Sequence, residues 1–337
     1  MRIFPSLIGT LSKVISRDIG RAGLRLQPSS SLFGSYAPRP GEIMLYSGLT
    51  GTRAGMSYVR ESLKLTARAS ANYKTTRQWI AHWNSTPLLA QIARTTPCVL
   101  KKIFRPYLTT RLRCSERLAV LTSHYAFIAE HGLGELILRA AAAPVVLSEF
   151  AGKSGTSYQI ELVMVDTMER EGELVLQLVS AGAILFSVAL TFFNQAGGAT
   201  ALTVAIGCLQ GGRAENSLEQ IRFATRDLFG LRPKTLMVRL VQQIGQQFAC
   251  RDLLLVGNQN RAVTTQLRKG IVFADYDTTW LELNAVRRPD GDFILPCSVL
   301  AEPDLQAIAS SKRSEAKKRY ALLSAICQST CDGLRRS

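Results

Sequence analysis

The chain has 337 residues, 47% of them hydrophobic, which suits one large domain or two ordinary ones and excludes disorder throughout. Its seven cysteines (Cys98, Cys114, Cys208, Cys250, Cys297, Cys327, Cys331) are odd in number, scattered and without a CxxC pair. They read as reduced thiols of a cytoplasmic protein, not as a disulfide framework or a zinc site. The net charge of +16 belongs to the N-terminal third: residues 1–117 hold nineteen Lys and Arg against four Asp and Glu, and residues 118–337 hold twenty-two against twenty-one. Such a segment suits anionic lipid or nucleic acid, and equally a solvated basic face.

Phe4, Leu7, Ile8, Leu11, Val14 and Ile15 share one face of a helix, with Lys13, Arg17, Arg21 and Arg25 recurring every fourth residue. Residues 1–26 therefore read as a basic amphipathic stretch, either a membrane-surface helix or an ordinary docking helix or tail. Residues 27–57, with Pro28, Pro38 and Pro40, read as a linker. From Tyr58 the period is helical, through Trp79, Ile80 and Trp83 to the break at Ser85-Thr86-Pro87. A second run covers Leu88 to Ile92, and another helix opens at Ser115-Glu116-Arg117. Residues 58–150 thus read as a helical region.

The period then changes. Tyr158 to Val165 begins with polar and apolar residues in alternation, as in a half-buried strand, and Arg170-Glu171-Gly172 makes a turn. Leu174 to Gly212 is a run of thirty-nine residues without a charged side chain. It divides into strands at 173–179, 183–193 and 200–208, separated by the turn Ser180-Ala181-Gly182 and the glycine-rich connection 194–199. A membrane-spanning helix over 174–193 is the alternative, opposed by Gln177, the turn tripeptide and the β-branched content. Ser217 and Gln220 have the spacing of a capping box, Gly230 suits a left-handed helix end, and Pro233 suits a helix start. Leu253 to Val256 reads as a buried strand ending at Gly257-Asn258. Asp290-Gly291-Asp292 turns into a short strand, and the basic run 312–319 lies on a helix. The chain is accordingly an α+β protein: a helical N-terminal region, then a mostly antiparallel meander sheet with packed helices. Its segments are 1–57, 58–150, 151–325 and a tail at 326–337.

The order of seven blocks resembles the bacterial VirK/YbjX family over about residues 60 to 325. The blocks are Arg105-Pro-Tyr107-Leu; Glu116-Arg117 with His124-Tyr125; Leu209-Gln210-Gly211; Gly230-Leu-Arg232-Pro-Lys234; Gly257-Asn258; Asp275-Tyr276-Asp277 with Trp280; and Ser311-Lys-Arg with Arg319-Tyr320. Gly212 stands where the family commonly has proline. The resemblance implies a Gram-negative protein associated with virulence, envelope integrity and tolerance of cationic antimicrobial peptides, and it carries no established reaction. A weaker similarity links strands 173–208, the loop at Gly230, the helix from Pro233 and the strand 253–256 to N-acetyltransferase-like acyltransferases. That similarity implies an acyl donor, acyl-coenzyme A or acyl carrier protein, held at a loop and helix N-terminus. The departures are an inserted helix, a single loop glycine, and Pro233 in place of an amide donor.

Candidate site residues follow. Gly230, Arg232 and Lys234 combine two cations with a helix start and suit an anionic ligand, or are simply solvated. Gln210 and Asn258 lie at strand ends, where an amide orients a carbonyl or closes a turn. His124 is a general base near neutral pH or a packed histidine. Tyr276 is a general acid or, with Trp280, part of the core. No metal site and no nucleophile triad are read. The expected function is envelope remodelling with peptide resistance through acyl transfer. RNA binding by the basic third and peripheral lipid binding are its rivals.

Overall fold

A computed structural model describes residues 41–164, 168–195, 201–214, 216–263 and 275–336. The amphipathic stretch 1–26, residues 27–40 of the linker and residues 196–199 of the glycine-rich connection therefore lie outside the described residues. The described residues from 43 onward form one compact unit.

After a short 3-10 helix, Leu45–Leu49, come α1 (Met56–Ala71), α2 (Tyr73–Trp83) and α3 (Pro87–Thr95). Thr86 caps α3 by accepting from the Leu89 amide, and Pro87 begins it where a missing N–H costs nothing. A 3-10 run, Pro97–Phe104, leads through the segment 105–111 to α4 (Cys114–Glu130) and α5 (Gly134–Ala142). Glu116 closes a capping box at the start of α4, accepting from the Arg113 amide at 2.7 Å.

Pro144 then prevents continuation of the helix, and β1 (Val145–Ala151) begins inside the stretch read from sequence as helical. β2 (Ser157–Met164), β3 (Leu174–Ser180), β4 (Ala183–Asn194) and β5 (Leu202–Gly211) follow in an antiparallel meander. The uncharged run is thus β3 to β5, and among the described residues no helix is long and apolar enough to cross a membrane. The hairpin between β3 and β4 turns through Ala181 and Gly182, both at positive φ. Two such residues in succession give the twist that a two-residue hairpin requires.

Next come α6 (Ser217–Asp227), α7 (Pro233–Gln247) and β6 (Asp252–Leu255). They are followed by α8 (Tyr276–Glu282), β7 (Val286–Arg287), β8 (Phe293–Pro296) and the long α9 (Ser310–Arg335). The capping box expected at Ser217 does not form: Asn216 is the cap residue, no side chain caps the helix, and Ser217 is already helical. Gly230 does take a positive φ, with its amide bonded back to Thr225 at 2.8 Å.

The architecture is α+β, with one eight-stranded sheet in the order β1-β2-β3-β4-β5-β6-β8-β7. Every neighbouring pair is antiparallel except β5 and β6. Helices and sheet share one core that joins Trp79, Trp83, Leu121 and Ile128 to Leu176, Val188, Phe192, Leu240 and Leu253. α4 lies on β4, α5 on β2, α7 across β3 to β6, and α9 along β1. Side chains alternate faces along a strand, so Val175, Ala189 and Cys208, which are register partners, point away from that core. With Met168 they form a second, smaller cluster. Trp79, Trp83 and Trp280 are fully buried, and truncating any of them to alanine would cost about 3–5 kcal/mol.

Candidate functional site

β5 and β6 pair in parallel from Thr203–Asp252 to Ile206–Leu255, and the Val256 amide adds one more bond to the Ile206 carbonyl. Beyond that point the strands part. β5 runs on to Gly211, paired only with β4, while the other chain turns through Gly257 into the 3-10 turn Asn258–Asn260. The free edge of β5 is left with an amide and a carbonyl at Leu209. Tyr276, at the start of α8, satisfies both: its hydroxyl accepts from the Leu209 N–H at 2.8 Å and lies 3.0 Å from the Leu209 carbonyl. Four residues along the helix, Trp280 donates its indole N–H to the Val256 carbonyl on the other arm. One turn of α8 therefore fills the fork, a phenol on one arm and an indole on the other.

Asn258 fixes that helix in place. Its side chain accepts from the Tyr276 amide at 2.9 Å and donates to Asp275 at 2.7 Å, while its own amide donates to Asp277 at 2.7 Å. Asp275 also caps α8 through the Thr278 amide, as its position before the helix requires. Gln210, next along β5, turns its side-chain oxygen to the Arg213 guanidinium, accepting from Nε at 2.9 Å and Nη2 at 3.3 Å. Tyr276 and Asn258 are thus brought together, whereas the Gln210 side chain turns to Arg213.

Three residues not singled out from sequence complete the cluster: Glu171, Cys208 and Arg261, each buried. The Arg261 guanidinium lies 3.8 Å over the Tyr276 ring and donates to its hydroxyl at 3.1 Å. The same hydroxyl lies 3.4 Å from the Cys208 sulfur, and the Glu171 carboxyl lies close enough to Cys208 and Arg261 to feel both. One oxygen of Glu171, Oε1, has no partner. Burial pushes the Glu171 carboxyl above the usual range even though the Arg261 charge pulls it down. Burial likewise holds Tyr276 well above its ordinary value and moves the Cys208 thiol to about 12, so both keep their protons at neutral pH. Cys208 is a packed thiol, not an activated nucleophile.

The segment Arg105–Arg111 binds this cluster to the rest of the fold. Leu108 donates its amide to the Arg170 carbonyl, Thr110 donates to the Asn260 carbonyl, and Thr109 bridges Arg261. Arg117 donates to the Arg105 carbonyl. Gly207 allows the turn before β3 to lie directly on β5, since a Cβ there would sit 1.9 Å from the Glu171 carbonyl oxygen.

His124 lies elsewhere. It packs on Phe192 of β4, whose register partner Val204 is five residues upstream of Leu209. Its Nδ1 accepts from the Phe192 amide at 3.2 Å, so in the neutral ring the proton sits on Nε2. Burial, with the nearby Lys102 charge, depresses it to about 3. Beside it, Lys102 donates to Glu173 at 2.6 Å and Tyr125 donates to the other Glu173 oxygen at 2.5 Å, a fully buried ion pair.

Arg232 and Lys234 flank the start of α7, and both pair with Glu282 at the end of α8, at 3.4 and 2.7 Å. α8 therefore links the fork to these two cations. Gly230 faces Arg319 and Glu315 of α9. An apolar cavity of about 20 Å³ between α5, α7 and the sheet, lined by Leu136, Leu176, Phe192 and Phe248 among others, has no polar group to orient a ligand. No group of metal-ligating side chains occurs among the described residues.

A family model matches residues 54–332 of the chain. The chain belongs to the DUF535 family. That family is described as a protein of unknown function. The chain is similar to the uncharacterized protein YbjX of Escherichia coli strain K12, with 29% identity over 252 residues, covering 73% of this chain and 74% of the relative. It is also similar to an uncharacterized protein of Haemophilus influenzae strain Rd, with 31% identity over 121 residues, covering 35% of this chain and 40% of the relative. No solved structure matches.

Proposed function

We propose that the chain is an acyltransferase-like envelope protein that takes an acyl thioester at the fork between β5 and β6. The observation that carries this reading is the strand order: an antiparallel meander is joined to one further strand by a single parallel pair, and that pair opens beside a helix start. Meander, loop, helix and returning strand follow one another as in the N-acetyltransferase-like acyltransferases. An acyl-coenzyme A or acyl carrier protein would set its phosphates against Arg232, Lys234 and the first-turn amides of α7, which have no partners within the helix. Its thioester carbonyl would accept from the Leu209 N–H; a hydroxyl or amine of the acceptor would attack the carbonyl carbon, the C–S bond would break, the Tyr276 phenol would protonate the departing thiolate, and the proton lost by the acceptor would restore the phenol. Donor entry then requires the phenol to release the Leu209 amide. By the VirK/YbjX resemblance, the acceptor would be an envelope component or its precursor, acting in tolerance of cationic peptides.

Calorimetry and thermal shift with coenzyme A, an acyl-coenzyme A and acyl carrier protein test the reading. A donor at a hundred times its Kd stabilises by about 2.7 kcal/mol, a readable shift. Arg232→Glu with Lys234→Glu should abolish that shift. Tyr276→Phe should bind donor more tightly and turn over more slowly, because the competitor for the Leu209 amide and the acid are the same hydroxyl. Folded protein that binds none of these donors would sink the proposal.

A further inference from the structure

Helix α1 presents to solvent what a helix of its kind ordinarily buries. Its inner face holds Leu65 and Ala69, both buried. Its outer face carries Met56, Val59 and Leu63 at spacings of three and four residues, and these are 83%, 41% and 62% exposed. Exposed Ala67 extends the same stripe by one more turn. Beside it, Arg60, Lys64 and Arg68 follow at every fourth residue, all exposed. Glu61, the acidic residue of this helix, is already drawn to Arg60 and Lys64, at 3.7 and 3.0 Å. At the start of α2, Tyr73 stands half out of the surface, 49% exposed, next to exposed Lys74.

A surface helix of a soluble protein turns its apolar stripe inward and its charges outward. Here the apolar stripe and a cationic stripe lie side by side on the outward half. That pattern fits an interfacial helix lying in the plane of a bilayer, with aliphatic side chains among the acyl chains, lysines and arginines at the phosphates and tyrosine at the headgroup level. Two other occupants fit less well. A nucleic acid would match the cations but leaves Met56, Val59 and Leu63 without bases or phosphates to meet. A second copy of the chain would bring the same cationic stripe against itself.

From this juxtaposition we propose that the outer face of α1 is a docking surface for an anionic lipid bilayer. The proposal does not rest on the acyl-transfer reading, and it concerns the folded unit rather than residues 1–26. The test is vesicle flotation of the full chain with phosphatidylcholine alone and with about one-third phosphatidylglycerol, in low and high salt. Val59→Gln with Leu63→Gln, and separately Arg60→Gln with Lys64→Gln, alter exposed positions and keep residues 1–26 intact. The full chain should float with the anionic vesicles, and added salt should release it. Each double variant should lower the partition coefficient about tenfold with an unchanged circular dichroism spectrum. Undiminished flotation of either variant, or no flotation of the parent chain, overturns the proposal. So does a dimer that Val59→Gln/Leu63→Gln converts to monomer without any change in lipid binding.

Discussion

His124 makes the fold sensitive to acid in a way that can be isolated. The ring titrates at about 3 in the folded protein and near 6.5 when the chain is unfolded. Between those values the unfolded state binds a proton that the folded state refuses, so stability rises with pH and is lost as pH falls through 6.5 towards 3. The slope is about 1.4 kcal/mol per pH unit, and moving from pH 7 to pH 5 should cost about 2 kcal/mol from this residue alone. His124→Asn keeps an acceptor near the Phe192 amide and does not titrate. Urea unfolding of parent and variant at pH 7, 6 and 5 separates the effect from every other titrating group, because those groups are common to both. The variant bears a fixed cost for altered packing, and the gap between the two proteins should narrow by about 2 kcal/mol over this range. Parallel pH profiles would refute the placement of a neutral, buried imidazole against β4.

Two further outcomes are expected. Lys102→Met alone should destabilise by about 3–5 kcal/mol, since it strands the Glu173 charge in the core; adding Glu173→Gln should recover part of that loss, as measured by chemical unfolding. Glu171 has a raised folded pKa, so the folded state holds its proton longer than the unfolded state does, and its ionisation lowers stability as pH rises above the ordinary carboxylate range. Glu171→Gln should therefore raise the melting temperature at pH 8 relative to the parent, with the advantage shrinking below pH 4.5; a constant difference would contradict a carboxyl whose titration burial shifts upward.

Much of the fold was legible from local pattern. Alternation and turn residues located β2 through β5, Pro233 and Gly230 marked helix ends, and the Tyr276–Trp280 spacing placed two aromatics on one helical face. Each of these signals depends on neighbours within a few residues, and the motif order carried the family. β1 was missed because Ala140 to Ala143 continues a helical pattern up to Pro144 with no alternation to announce a strand. At Ser217 the spacing of a capping box was present, but the helix begins one residue too early to use it.

The candidate site divides the same way. Sequence alone determined that Gln210, Asn258 and Tyr276 stand at strand ends and a helix start, because those positions follow from local periodicity. Only tertiary structure decided that Tyr276 reaches Leu209 across 67 residues, that Asn258 clasps α8, and that Lys102 meets Glu173 across 71. It also buried Glu171 and Arg261, which in sequence look like ordinary solvated charges of a turn and a loop. A charged side chain enters a core only when distant groups arrive to receive it, and no window of neighbouring residues contains that information.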